Sequence, residues 1–234
     1  MSRLKFYYDL LSQPSRSLLI FLQTNKIPFE PVPIRLGKGE HKTEEFKKIT
    51  PLQLVPVIDD DGFVVKESVG ILRYLSKRYN VDDHWYPNDV KEQAKVDEYL
   101  EWQHLGTRFA CGMYFRIMWL TPMATKVAPN SKLAEKHKEL MVNTCNTVQD
   151  VWLGDKKYIC GDKISIADLL AVSELEQPRL AGYDPREGRP KLAEYMERVR
   201  QDTNPSYDVA HKVLNTIVEK FKGECPALVK SAQN

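Results

Sequence analysis

"LKFYYDLLSQPSRSLLIFLQTN", Leu4–Asn25, changes its pattern in the middle. "LKFYYD" is apolar and aromatic, which suits a buried strand. From Pro14 the pattern is helical, with Leu18, Phe21 and Leu22 on one face. Proline at the start of a helix costs no hydrogen bond, because the first amides have no partner there. Ser12 stands in the gap between strand and helix. A serine in such a gap is ordinarily a turn residue, so its meaning depends on the rest of the chain.

Outward from this unit, strand and helix signals keep alternating. "PFEPVPIRL" reads as a second extended segment whose prolines suit a sheet edge. "TEEFKKI" gives one or two helical turns, with Thr43 as N-cap. "LVPVIDDDGFVV" is two short strands around a hairpin signal, and "KESVGILRYLSKRY" is a helix with Val69, Leu72 and Leu75 at helical spacing. The order is β-α-β-α-β-β-α.

Past Tyr79 a polar, turn-rich piece, "NVDDHWYPND", ends the strand signals. The segment beginning at Val90 lacks proline for about 30 residues, and predicts one helix about 45 Å long that stops at Pro122. Further helices are expected at 131–153, 165–181, 189–201 and 206–221, the last with Val209, Val213, Ile217 and Phe221 every four residues. The tail "ECPALVKSAQN" is expected to be irregular. The expected division is therefore a domain over 1–80, a linker over 81–88 and an all-α domain over 89–234. "ISIADLLA" predicts a capping box: Ser165 and Asp168 bond reciprocally, with Ile164 packed on Leu169. Asp168 is accordingly read as structural rather than as a catalytic acid.

The totals exclude several classes. A net charge of +2, with no basic tract interleaved with aromatics, argues against a nucleic-acid binder. "MSRLKFYYDL" is not a charged-then-apolar leader. The longest apolar stretch, "FACGMYF", ends at Arg116, far short of the roughly 18 to 20 residues that span a bilayer. Cys111, Cys145, Cys160 and Cys225 are widely spaced, which favours free thiols over a metal site or disulfides. A soluble, cytoplasmic protein is expected.

Five segments, "DLLSQPSRS", "LGKGEHKTEEF", "LVPVIDDDGFVVKES", "DHWYP" and "ISIADLL", lie in an order and at spacings that resemble the glutathione transferases, most closely the theta class. The resemblance covers nearly the whole chain. It implies an α/β thioredoxin-like N-terminal domain (βαβαββα) that binds glutathione, followed by an all-α C-terminal domain that contributes an electrophile pocket. It implies glutathione as co-substrate, a small hydrophobic electrophile as second substrate, no metal, and a homodimer. Conjugation is the expected activity, with peroxide reduction as a second one. The alternatives are a non-catalytic glutathione or hydrophobic-ligand binder, and a scaffold domain on the same fold.

Site residues follow from the same resemblance. Ser12 matches the serine after the first strand; its hydroxyl can donate to the glutathione sulfur and favour the thiolate, which is the nucleophile. Ser15 and Ser17 compete by residue type but fall within the helix. Ser68, at a helix start, can hold the γ-glutamyl carboxylate, and Glu67 the neighbouring ammonium. The backbone of Val55, beside a proline resembling the family's cis-proline, can pair with the cysteinyl backbone. His41 and Lys42 can hold the glycyl carboxylate. Leu54 departs from the pattern: many theta-like chains carry a basic residue there, so only its backbone and apolar side contribute. Arg108 can add positive field near the sulfur, and Met113 and Phe115 in the run "MYFRIMW" can line the electrophile pocket or simply pack the helix core.

Overall fold

The computed structural model describes residues 4–229. Strand β1 (Leu4–Tyr8) buries Leu4, Phe6 and Tyr7 and lies inside a four-stranded sheet of order β2-β1-β3-β4. β2 (Glu30–Pro33) pairs parallel to it and takes an edge, where Pro31 and Pro33 cost few ladder bonds. β3 (Val57–Asp60) and β4 (Phe63–Lys66) run antiparallel, with Phe6 opposite Ile58 and Ile58 opposite Val65. Their two-residue turn puts Asp61 at φ 53° and Gly62 at φ 93°, the left-handed pair that a tight hairpin needs.

Helices α1 (Gln13–Thr24) and α3 (Ser68–Arg78) pack together over the Leu4 and Phe6 side of the sheet. On the opposite side, α2 (Glu44–Ile49) sets Phe46 against Tyr7 and Val57, and Thr43 caps it by accepting from Phe46 N at 3.2 Å. The expected order of elements is the observed one, and the thioredoxin-like half is followed by a helical half. In the polar bridge between them, Trp85 is buried edge-on against Phe21, ring centroids 5.5 Å apart, and His84 Nδ1 donates to Ile164 O at 2.6 Å.

The expected single helix from Val90 to Pro122 is a series of pieces. α4 (Val90–Trp102) stops where the Trp102 ring folds over Gly106; a Cβ at that glycine would lie 2.7 Å from the ring. α5 (Thr107–Phe115) follows, then a widened turn over Arg116–Leu120 and α6 (Thr121–Thr125). Pro122 does not end the helical path. It falls in the first turn of α6, where a missing N–H is tolerated, and the path stops at Lys126, φ 59°.

α7 (Ser131–Thr147) and its extension to Leu153 match the expected 131–153. α8 (Ile166–Glu176) and the 3₁₀ turn Gln177–Ala181 match 165–181, and α9 (Pro190–Thr203) and α10 (Ser206–Phe221) match the last two. Every residue of α8 is buried, so this helix is the axis of the helical half. Asp168 works as expected. Its Oδ2 accepts from the Ser165 amide at 2.8 Å and hydroxyl at 3.0 Å, and its Oδ1 from Ile159 N at 2.9 Å and Tyr195 at 3.0 Å.

In the last segment the helix α10 is as expected and the irregular tail is corrected. On α10 the buried face is Tyr207, Ala210, His211 and Leu214, while Val209 and Val213 of the apolar stripe are exposed; only Ile217 and Phe221 pack inward. The tail is not irregular throughout. Cys225 is buried against Trp119, and Pro226–Val229 forms a helical turn, α11. Gly182 and Gly223 cross so closely that a Cβ on Gly223 would sit 2.2 Å from the Gly182 Cα. Only glycine fits there.

Candidate active site

Ser12 is the last residue before α1, with extended backbone (φ −81°, ψ 121°). Its hydroxyl makes no capping bond to the amides of α1, so the group is left for something other than the helix. The turn that carries it is tightly held. Asp9 accepts from Leu11 N and from Leu36 N, both at 2.8 Å, and Arg16 Nη1 donates to Leu10 O at 3.0 Å. Ser15 and Ser17 are fully buried inside α1, and Ser17 donates to Leu169 O at 2.9 Å. That removes both as competitors for an exposed ligand.

A shallow cleft is walled by Pro14, Leu54, Val55, Pro56, Glu67, Ser68 and, from the helical half, Arg108. The Val55–Pro56 peptide is cis, the isomer the resemblance implies. Leu54 is 57% exposed, so its apolar side chain is available at the rim. Ser68 is the first residue of α3, whose first turn contains no acidic side chain to occupy the free amides. That end of the helix is therefore open to an anion. Glu67 precedes it with φ 66° and ψ 116°, a strained conformation for a non-glycine residue, of the kind that concentrates at ligand clamps.

His41 and Lys42 occupy a 3₁₀ turn, Glu40–Lys42, outside these walls. Partial burial and the adjacent Lys42 lower the His41 pKa, and Asp9 opposes them. Phe115 packs on the cluster of Trp119, Leu180, Leu214 and Cys225, and Met113 is half-buried on α5; neither walls the cleft.

Sequence reasoning passed over the residues that hold this site from behind. Arg16 is fully buried; Nη2 donates to Ser173 O at 2.8 Å and to Gln177 Oε1 at 2.7 Å. Burial lowers its pKa to about 10 against the opposing pull of Glu174 and Glu176. Glu174, 1% exposed, accepts from Arg108 Nη1 at 2.8 Å. An arginine inside the apolar run of α1 was the one available signal, since a buried guanidinium requires partners. Among the described residues no group of three or more His, Cys, Asp or Glu side chains is placed to hold a metal ion. None of their helices is long and apolar enough to cross a membrane.

The family model for the N-terminal domain of glutathione S-transferases matches residues 5–77, and that for the C-terminal domain matches 113–202. Mouse glutathione S-transferase theta-1 is 41% identical over 214 residues, covering 90% of this chain and 88% of that protein. The human theta-2 enzyme solved in complex with glutathione and an unknown ligand superposes with a TM-score of 0.89 at 35% identity, over 97% of this chain and 96% of its own. A human theta-class enzyme in complex with the glutathione conjugate of 1-menaphthyl sulfate gives 0.84 at 34% identity, over 98% and 96%. The matches run through both halves of the chain, and the chain belongs to the theta class of the glutathione S-transferase family.

Proposed function

We propose that this transferase conjugates glutathione to small hydrophobic electrophiles, with the roles distributed as follows. Glutathione lies along the cleft. Ser68 and the open amides of α3 take the γ-glutamyl carboxylate, Glu67 takes its ammonium, and the Val55 backbone pairs with the cysteinyl unit. His41, with Lys42, takes the glycyl carboxylate, and Leu54 covers the rim. The observation that carries this reading is the meeting of the Val55–Pro56 step, the Glu67–Ser68 helix start and Arg108 in one cleft.

At the sulfur, Ser12 donates to the anion rather than removing its proton, since a hydroxyl is far too weak a base. The proton leaves to solvent, the sulfur pair forms the S–C bond, and the electrophile's leaving group departs with the bonding pair. The same thiolate attacking a hydroperoxide would release the alcohol, and a second glutathione would complete the disulfide. Residues 1–80 supply the glutathione site, 81–88 the connection, and 89–234 the electrophile side. A cytoplasmic homodimer completes the reading.

Calorimetric titration with glutathione, followed by a conjugation assay over aryl and alkyl halides, tests it. Binding with turnover is expected. Binding without turnover across the panel indicates a ligand carrier, and no binding at all indicates a scaffold.

A further inference from the structure

Arg108 reaches the cleft from α5 but is not fixed by α5. One of its nitrogens, Nη1, is held by the buried Glu174 of α8; the remaining guanidinium donors have no protein partner among the described residues. Glu174 sits on α8, every residue of which is buried, and is itself 1% exposed. Burial raises its pKa; Arg108, Arg16 and, more weakly, the Gln13 side chain oppose that. Its cationic neighbours therefore come from two sides, Arg108 at the cleft and Arg16 beneath the turn of Ser12. Gln13 is the residue directly after Ser12. Glu174 thus stands directly behind Arg108, one of the two groups proposed to act on the sulfur.

A half-exposed arginine loses considerable rotamer freedom when a ligand fixes it. Pinning one nitrogen in advance removes much of that loss and leaves the other donors for an anion. We infer that Glu174 is a positioning residue of the transfer reaction, holding Arg108 at the cleft wall for the glutathione sulfur. The inference rests on the reading of Arg108 as thiolate support.

The direction of one pKa separates positioning from simple charge. A carboxylate acting only through its field repels the thiolate, so its neutralisation would lower the pKa of bound glutathione. A carboxylate acting through Arg108 favours the thiolate, so its neutralisation raises that pKa. The thiolate absorbance of bound glutathione is titrated in the full-length chain for wild type, Glu174→Gln, Arg108→Ala and the double variant. Glu174→Gln is expected to raise the pKa by up to about one unit, roughly a tenfold loss of thiolate at neutral pH. Turnover should fall in step while the KM for glutathione stays within about threefold, and the double variant should be no worse than Arg108→Ala alone, as expected for one pathway.

A lowered or unchanged pKa in Glu174→Gln, or losses that multiply in the double variant, overturns the inference while leaving the Arg108 reading intact. A wild-type titration in Arg108→Ala overturns both. Should Glu174→Gln not fold, Arg108→Lys decides: it keeps the charge but loses the planar fork. The inference then requires a loss approaching that of Arg108→Ala, and a wild-type titration refutes it.

Discussion

Arg16 Nη2 donates to Gln177 Oε1 at 2.7 Å, joining two residues 161 positions apart. The same guanidinium holds Leu10 O and Ser173 O, so one buried cation ties the turn of Ser12 to the helical half. Arg16→Met keeps much of the apolar stem and removes every one of these donors. It also removes one of the cations that face Glu174 and Glu176, leaving Glu174 to Arg108 and Glu176 to Arg179 and Arg186. Removing one member of a buried charged group typically costs about 3–5 kcal/mol. Guanidinium unfolding should show a loss of that order; a variant within 1 kcal/mol of wild type, on the same scale, would mean that water replaces the guanidinium without penalty.

Acid should unfold this protein through the same junction. His211 is fully buried on α10 and donates through Nδ1 to Tyr207 O at 2.9 Å. Burial, helped by Arg16, lowers its pKa to about 4, with Glu176 opposing. The unfolded chain takes up that proton near the ordinary histidine value, and the folded chain does not until about pH 4. Stability therefore falls as pH drops from about 6.5 to about 4, by on the order of 3 kcal/mol if the full shift is realised. For Glu176, burial pushes the pKa up but His211, Arg179 and Arg186 outweigh it and hold it at about 2. Its contribution is complete above the ordinary glutamate value and is lost as pH falls toward 2. Unfolding free energies measured from pH 7 to pH 5 should thus slope downward in wild type and flatten in His211→Gln. An unchanged slope would assign the acid sensitivity elsewhere.

The order of elements was legible because each one obeys a local rule. Phe6 and its neighbours, the Asp61–Gly62 turn, the Thr43 cap and the Ser165–Asp168 box are decided by residues within four positions of one another. The break between α4 and α5 was not, because nothing in the local pattern shows that the Trp102 ring folds over Gly106. The tail was misread for the same reason: Cys225 and Gly223 are fixed by Trp119 and Gly182, far away in sequence. At the cleft, Glu67, Ser68 and Val55 were visible through family motifs. Glu174 was hidden, since a glutamate in a helix reads as a solvated face until the helix proves to be buried on all sides.

Glu67→Ala and Ser68→Ala test the ligand clamp separately from the chemistry. Hydrogen bonds to charged groups contribute about 1.5–3 kcal/mol when one partner is removed. Each variant should weaken glutathione binding by roughly tenfold to a hundredfold in calorimetry, which is the same range expressed as affinity. The two differ in one respect. Glu67→Ala also relocates a Cβ residue with φ 66° from glutamate to alanine without relieving the strain, so Glu67→Gly should bind as weakly while being the more stable fold. Unchanged affinity in both alanine variants would remove these residues from the glutathione site.

Ser12→Ala answers what the serine between strand and helix is for. Its hydroxyl caps nothing in α1, and the turn is held by Asp9 and Arg16, so the variant should unfold at the wild-type denaturant concentration. Glutathione affinity should stay within a few-fold, because the carboxylates and backbone are gripped at other residues. What disappears is the donor that favours thiolate over thiol. A free thiol with a pKa of about 8.5 is mostly protonated at neutral pH, so the loss of one charged hydrogen bond falls directly on the reactive species. The thiolate absorbance of bound glutathione should titrate at higher pH, and each unit of that shift means roughly ten times less thiolate below both values. Conjugation near pH 7 should drop by the same factor and recover in part as the pH is raised. A variant with the wild-type titration and rate would reduce Ser12 to a turn residue. Since Ser15 and Ser17 are buried within α1, the stabilising charge would then have to come from Arg108 alone.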